Sequence, residues 1–272
     1  SYHCVSLTDV YWVKKSDEDI SYEKINLYDY SLNEAVVELS LHGKPMTVTN
    51  QELAPDLSTK GCFPKAWIRR GKDFILLKDG GDNAVQKELL ASRLCQCFDF
   101  KQVKYDEDFY DGQKVTQSKM ITFRQYSIVS KMAFEIYALN HDLNVLNECL
   151  RIDKETYYGM NILDYLVGNI DRHPENWGFL VDNRTNEYVS LYPIMDFNQS
   201  FGSYDTIDGA NCQTVYPEKK TQREAAIEAV RHVGMHQIKD IEEEIFEDMT
   251  EWKEMFFRRL EELKNAVDTS AF

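Results

Sequence analysis

The chain has 272 residues, enough for one large domain or two lobes with an ample core. It carries 31 Lys and Arg against 46 Asp and Glu, a formal net charge of −15. That balance excludes nucleic-acid binding over a broad surface and disfavours anionic membranes, because both need basic patches.

No apolar run approaches transmembrane length, no signal peptide is visible, and a start at Ser1 in place of Met points to a cut or processing. Cys4, Cys62, Cys95, Cys97, Cys149 and Cys212 are scattered without a C-x-x-C pair, the usage of reduced thiols in a cytoplasmic protein. Residues 1–56 carry few signals. Tyr11-Trp12-Val13 reads as strand, and Ser31-Leu32-Asn33-Glu34 has the form of a capping box opening a helix over 34–41, which His42-Gly43-Lys44-Pro45 ends. This segment is read as an appendage covering one edge of a small lobe.

Residues 57–98 read as a nucleotide-binding half. Strand-like runs over 65–70 and 73–78 flank Gly71-Lys72, a Gly-X loop that predicts a hairpin with a type II′ turn. Period two puts Phe74, Leu76 and Lys78 on one face, an apolar residue beside a cation, as a base beside its phosphates requires. The loop before the hairpin, Ser58 to Lys65, stands where a phosphate cover would. Gly61 is its one glycine, and Lys60 and Lys65 either face phosphates or are solvated. After a polar turn over 79–83, Val85, Leu89, Leu90, Leu94 and Phe98 make an apolar stripe that predicts a helix over 84–98. Glu88 lies at the stripe's border. It is either a solvated helix former or the acid that orients a phosphate-binding lysine.

Residues 101–125 read as strands and turns, with 119–123 a sheet edge. Met132, Ile136, Leu139, Leu143 and Leu146 to Leu150 recur at helical spacing over 131–150 and, with 161–167, are expected to form the core of a large lobe.

The densest chemistry follows. Asp171, Arg172, His173 and Asn176 stand in a polar loop between an apolar helix-like run, 160–167, and a strand-like run, 177–181. Asp171 precedes Asn176 by five positions. In phosphoryl transfer that is the spacing of an Asp that takes a hydroxyl proton and an Asn that holds a metal. Turn chemistry over 182–186 joins 177–181 to 188–194 as a hairpin, which returns the chain and delivers Asp196 beside Asn176. Two hard oxygen ligands facing one space suit Mg²⁺ completed by phosphate oxygens; singly, each Asp reads equally as a turn cap. Residues 202–218 form a loop of substrate-facing type that names no substrate. Residues 221–262 read as two or three helices, the last over 241–263 through Ile245, Met249, Trp252, Phe256 and Leu260. His232 and His236 have helical spacing but lack the further ligand of a metal site.

Asp171-Arg172-His173-x-x-Asn176, then a hairpin and Asp196-Phe197, resembles the HipA-like serine/threonine kinases; the D-R-H-x-x-N loop is also similar to that of phosphoinositide kinases. The match runs from about Leu57 to Ser200. The resemblance implies an α+β, two-lobed protein-kinase-like fold: a β-rich, nucleotide-binding lobe with one helix and an N-terminal extension over 1–125, and a helical lobe with catalytic loop and metal site over 126–272. It implies ATP- and Mg²⁺-dependent transfer of the γ-phosphoryl group to a protein or small-molecule hydroxyl. In that scheme Asp171 orients or deprotonates the acceptor, and Asn176 and Asp196 bind Mg²⁺. Lys78, held by Glu88, binds phosphates; Leu76, Gly61 and Lys65 border the nucleotide; Arg172 and His173 support the loop or the γ-phosphate. The link between lobes, near Phe123 to Ser127, would bond adenine through its backbone. Ser58 matches a serine that is autophosphorylated with inhibition in that family. Asn198 departs from the glycine that most kinases carry after Asp-Phe. The other readings are a small-molecule or phosphoinositide kinase, and a kinase-like interaction module with an antitoxin-type protein partner.

Overall fold

The Gly71-Lys72 loop joins β1 (Lys65–Arg70) to β2 (Asp73–Lys78), with Arg70 opposite Asp73 across a two-residue turn. Gly71 takes φ +63° and Lys72 does not leave the negative region, as the first and second positions of the expected II′ turn demand. With β3 (Asp106–Tyr110) and β4 (Gln113–Lys119) these strands make an antiparallel sheet in the order β1-β2-β4-β3. The computed structural model describes residues 3–29, 64–202, 205–215 and 219–268. The expected helix over 34–41 and the loop residues Ser58, Lys60 and Gly61 lie outside them.

The chain divides into two compact units. One comprises Ser1–Val85, Asp106–Ile128 and Val181–Glu187; the other Gln86–Tyr105, Val129–Leu180 and Tyr188–Phe272. In the first, both faces of the sheet are covered. Ala66, Ile75, Leu77 and Val115 cluster on one. On the other, Leu7 and Tyr28 pack against Phe74, with Val10, Leu27, Trp67 and Met120 around them. Among the described residues, segment 3–29 therefore covers a sheet face where an edge was expected. Thr122 Oγ1 ties it down by donating to the Leu7 carbonyl at 2.6 Å, and the Ile128 N–H bonds the Thr8 carbonyl at 3.0 Å. Among the described residues the segment carries one helical turn, α1 (Tyr22–Ile25). Tyr11-Trp12-Val13 is not a strand: among the described residues Val13 bonds His3 alone, and a ladder needs a neighbour along its length. Nor is 119–123 a sheet edge. β4 is an inner strand that stops at Lys119, and Phe123 and Tyr126 then exchange backbone bonds in a tight turn.

The helix after β2, α2 (Gly81–Cys95), begins three residues before the expected start. Asp79 Oδ1 accepts the Gly81 N–H at 3.0 Å and so begins the helix at the polar turn. It ends before Phe98 because the Cys97 and Phe98 amides bond back three residues, tightening the chain out of α geometry.

The second unit is helical: α3 (Lys131–Asn140), α4 (Val145–Val167), α5 (Gln222–Val233) and α6 (Thr250–Asp268). Ile162, Leu163, Leu166 and Val167 of α4, Ala225, Ala226 and Ala229 of α5, and Phe256 and Leu263 of α6 are all buried. The alanines let α5 approach α4 closely. A further sheet, order β5-β6-β7, joins β5 (Tyr126–Ser130), β6 (Gly178–Asp182) and β7 (Glu187–Leu191), of which β6 and β7 are the expected hairpin. Gly178 is required there: a Cβ would lie 2.2 Å from the Val129 carbonyl oxygen.

Two expectations fail here. Residues 131–150 are two helices, broken around Asp142 at φ +53°. Up to Leu146 their stripe is also not core: Met132, Ile136 and Leu139 are 46, 63 and 79% exposed, with Leu143 and Leu146 exposed beyond them, and burial begins only at Cys149 and half-buried Leu150. α3 buries the opposite face instead, Phe134 and Ala138, with Phe134 against Phe179 of β6 at 4.2 Å between ring centroids. Periodicity marks a stripe but does not say which side the neighbouring elements occupy. The last helix likewise starts at Thr250, since Glu243–Phe246 forms a separate 3₁₀ turn. No helix among the described residues is long and apolar enough to cross a membrane.

Candidate active site

α4 ends at Gly168, whose left-handed φ +61°, ψ +40° satisfies the last carbonyls, of Asp164 and Tyr165, and turns the chain into the loop. Four positions before that glycine stands Asp164, an acid buried in the apolar run. Its Oδ2 accepts Arg172 Nε at 2.8 Å, and its Oδ1 accepts Arg172 Nη2 at 2.8 Å and Asn169 Nδ2 at 3.0 Å. Arg172 Nη1 donates to the carbonyls of Asn176, at 3.2 Å, and Met195. Burial opposes the charge on Arg172. The attraction and hydrogen bonds of Asp164, with Asp196 adding to them, outweigh it and hold the pKa above its ordinary value. Every nitrogen of the guanidinium is thus engaged inside the loop, and the Phe197 ring lies 5.7 Å from its centre.

Asn169 is the hub. Beyond its bond to Asp164, Nδ2 reaches the Asp196 carbonyl at 3.3 Å, and Oδ1 accepts the Asp171 N–H at 3.2 Å. Asn176 Nδ2 donates to the Asp171 carbonyl at 2.9 Å, which leaves Oδ1 as the atom it offers a cation. His173 Nδ1 accepts the Glu175 N–H at 3.2 Å. Asp196 has φ +65°, a region that non-glycine residues avoid, and its N–H donates to the Tyr105 hydroxyl at 3.0 Å. Asp171, Arg172, His173, Asn176 and Asp196 are therefore brought into one hydrogen-bonded loop system within the second unit. Three of its members were not singled out from sequence: Asp164, Asn169 and Tyr105. An acid inside the apolar run 160–167 was the available signal, because a buried carboxylate demands a partner.

Among the described residues no group of three or more His, Cys, Asp and Glu gathers for a metal. Asn176 and Asp196 fit a different cation, one that keeps water and takes phosphate oxygens alongside one or two protein oxygens, as Mg²⁺ does. His232 stacks on Tyr158 at 4.7 Å, and His236 lies 3.4 Å from Glu155.

In the first unit, Lys78 is buried and occupies one cross-strand row with Lys65 and Thr116. Leu76 is half-buried in the next row, between Trp67 and Ser118. Lys65, Leu76 and Lys78 are thus on one sheet face, an apolar patch of partly buried groups beside two cations. Glu88, in the part of α2 that belongs to the second unit, is 1% exposed and so is not the solvated helix former. Gly61 and Ser58 lie outside the described residues.

No protein-family model matches the chain. It is 29% identical over 121 residues to the serine/threonine-protein kinase CtkA of Helicobacter pylori, a match covering 39% of this chain and 36% of that one. The chain therefore spans about a third of the length of this curated relative. The crystal structure of a Helicobacter pylori proinflammatory kinase CtkA is similar at a TM-score of 0.56 and 18% identity, over 76% of this chain and 94% of that one. HipA in complex with HipB and operator DNA, from a Shewanella oneidensis MR-1 toxin–antitoxin system, is a looser likeness: TM-score 0.43 and 12% identity over 84% of this chain and 61% of that one. The CtkA superposition shows the fold, and it is the α+β kinase-like fold that the loop motif implied. The chain is a kinase-like protein related to CtkA, with the resemblance to HipA-like serine/threonine kinases that its sequence carries.

Proposed function

We propose that this protein is an ATP- and Mg²⁺-dependent phosphotransferase acting on serine or threonine hydroxyls of a protein, in the cytoplasm. The observation that carries the reading is the hub at Asn169, which ties the Asp171 amide to the Asp196 carbonyl while Arg172 ties Asn176 to Met195. A proton acceptor and two cation ligands held on one rigid network are what phosphoryl transfer asks of a protein, since its catalysis is positioning and charge stabilisation.

Bound Mg·ATP supplies the phosphoryl group and the counter-charge. The chain's own residues do the rest. Asp171 accepts the proton of the acceptor hydroxyl. Asn176 and Asp196 hold the cation through oxygen. Lys78 binds phosphate oxygens, with Glu88 orienting it, and Leu76 borders the base; Lys65 and Gly61 are assigned to the phosphates. Arg172, with every nitrogen spent inside the loop, is a support and does not reach substrate; His173 shapes the turn before Glu175. Ser58 is the proposed site of autophosphorylation. A phosphate there adds close to two negative charges that compete for Lys78. The lobes of this reading are 1–125 and 126–272.

Incubation with γ-labelled Mg·ATP, alone and then with protein, lipid and small-molecule acceptors, tests it. Label is expected on protein hydroxyls, with Asp171→Asn lowering turnover by on the order of a hundredfold while nucleotide affinity stays within a few-fold. Transfer only to a lipid or small molecule would replace the acceptor class. No transfer at all would overturn the reading. Mass spectrometry of the same sample reads Ser58.

A further inference from the structure

The two carbonyls that immediately precede Asp171 are each held by a glutamine from the segment that follows the site. Gln222, 5% exposed in the first turn of α5, donates from Nε2 to the Asn169 carbonyl. Gln213, half-buried, donates from Nε2 to the Ile170 carbonyl at 2.8 Å. The other groups of Gln222 grip the segment itself: Oε1 accepts the Ala210 N–H at 3.0 Å, and its backbone N–H donates to the Ala210 carbonyl at 2.8 Å. Thr221 and Glu224 close a capping box around it, so Gln222 enters the helix in a set direction. Arg259, fully buried in α6, adds a third tie by donating to the carbonyls of Tyr165 at 2.6 Å and Thr206 at 3.0 Å.

On the loop side the same residues are pinned again. The Asp171 N–H bonds Asn169 Oδ1, and the Ile170 N–H bonds the Gln199 carbonyl at 3.3 Å. Gly202 leaves the space for Ile170, since a Cβ there would lie 2.6 Å from Ile170 Cδ1. The peptide planes before Asp171 therefore have their orientation set by the side chains of Gln213 and Gln222. Those planes set the backbone angles from which the Asp171 carboxylate departs.

We propose that Gln213 and Gln222 are positioning residues for Asp171, coupling the placement of segment 205–215 to that of the proton acceptor. This rests on the phosphotransferase reading above. The physical ground is that small misplacements of a catalytic group cost rate steeply, while ground-state binding of nucleotide by other residues is unaffected. A bond that only braced the fold would instead lower stability and leave kcat of the folded fraction intact.

The test compares the full chain with Gln213→Glu, Gln213→Lys and Gln222→Glu, using γ-labelled Mg·ATP and casein as the acceptor probe. Gln213→Glu keeps the shape but removes the donor to Ile170. Gln213→Lys keeps a donor. Gln222→Glu places a carboxylate in a buried position that can disturb folding, so the half-buried Gln213 decides. Gln213→Glu is expected to lower kcat about tenfold, with KM for Mg·ATP and the melting temperature unchanged, and Gln213→Lys to restore most of the loss. Wild-type kcat in Gln213→Glu, or an equal fall in Gln213→Lys, overturns the coupling while leaving the phosphotransferase reading standing. Absence of transfer by the unaltered chain, to casein and to itself, overturns both.

Discussion

At the scale of single residues, Asp196 and Arg172 separate charge from architecture. Asp196 sits at φ +65°, a region that Asn, like Asp, adopts more readily than most side chains because its short polar group bonds the nearby backbone. Asp196→Asn therefore keeps the backbone and removes only the charge. It is expected to abolish Mg²⁺-dependent ATP binding with little change in melting temperature. Calorimetric titration with Mg·ATP checks this, and an unchanged affinity would remove Asp196 from the cation site. Arg172 and Asp164 are both buried and share two bonds at 2.8 Å. Taking away one member leaves an uncompensated buried charge, the costly half of a buried pair. Asp164→Ala is expected to destabilise the fold by about 3–5 kcal/mol, read from the urea midpoint; a loss within the range of an exposed ion pair would mean water reaches the guanidinium.

At the scale of elements, α3 and β6 show why a stripe and a strand need their neighbours named. Two substitutions on α3 have opposite expectations from similar-sized apolar groups. Phe134→Ala empties a site packed against Phe179 and costs about 3–5 kcal/mol. Ile136→Ala, two positions on and 63% exposed, changes stability by less than about 0.5 kcal/mol. Chemical denaturation of both variants checks the pair. Equal losses would put the stripe of Ile136 back into the core. In β6, Gly178→Ala would set a Cβ against the Val129 carbonyl, a backbone atom that cannot swing aside. β5 and β6 would have to part, at a cost of about 1–3 kcal/mol.

At the scale of the whole molecule, the buried ionisable groups set an alkaline limit. Burial pushes the Cys149 thiol up to about 12 from an ordinary value of 9.0, and burial likewise raises the Tyr165 hydroxyl from 10.0 to about 12. In both cases the folded chain holds a proton that the unfolded chain releases more readily. Their contribution to stability is therefore fully present below the unfolded values. It is lost as pH rises from about 9 toward about 12. The melting temperature is expected to hold between neutrality and about pH 8.5, then to fall through about pH 10. A scan by calorimetry checks this, and Cys149→Ala should flatten the onset. With a net charge of −15 already present at pH 7, each further anion also adds to self-repulsion.

The parts that were legible from the chain alone are those decided within a few residues. Gly71 needed its positive φ for a two-residue turn between strands. Asp171 and Asn176 stand in one short loop, and the Asn176 amide reaches back to the Asp171 carbonyl at 2.9 Å. The hairpin from β6 to β7 returned Asp196 to the loop because turn chemistry over 182–186 is local. The run that ends at Val167 read as a buried helix and is one. What the sequence left open depended on partners far along the chain. Whether Glu88 was solvated or buried, and which face of α3 met the core, turned on elements that pack against them, and periodicity is blind to those. Nor did the sequence show that Arg172 would be bonded by Asp164, Asn176 and Met195. The glutamine ties to the residues before Asp171 reach across more than forty positions, and no local pattern announces a side-chain amide that will find a carbonyl that far away. Local propensity names the groups; only the closed fold decides which of them are spent on each other and which remain for substrate.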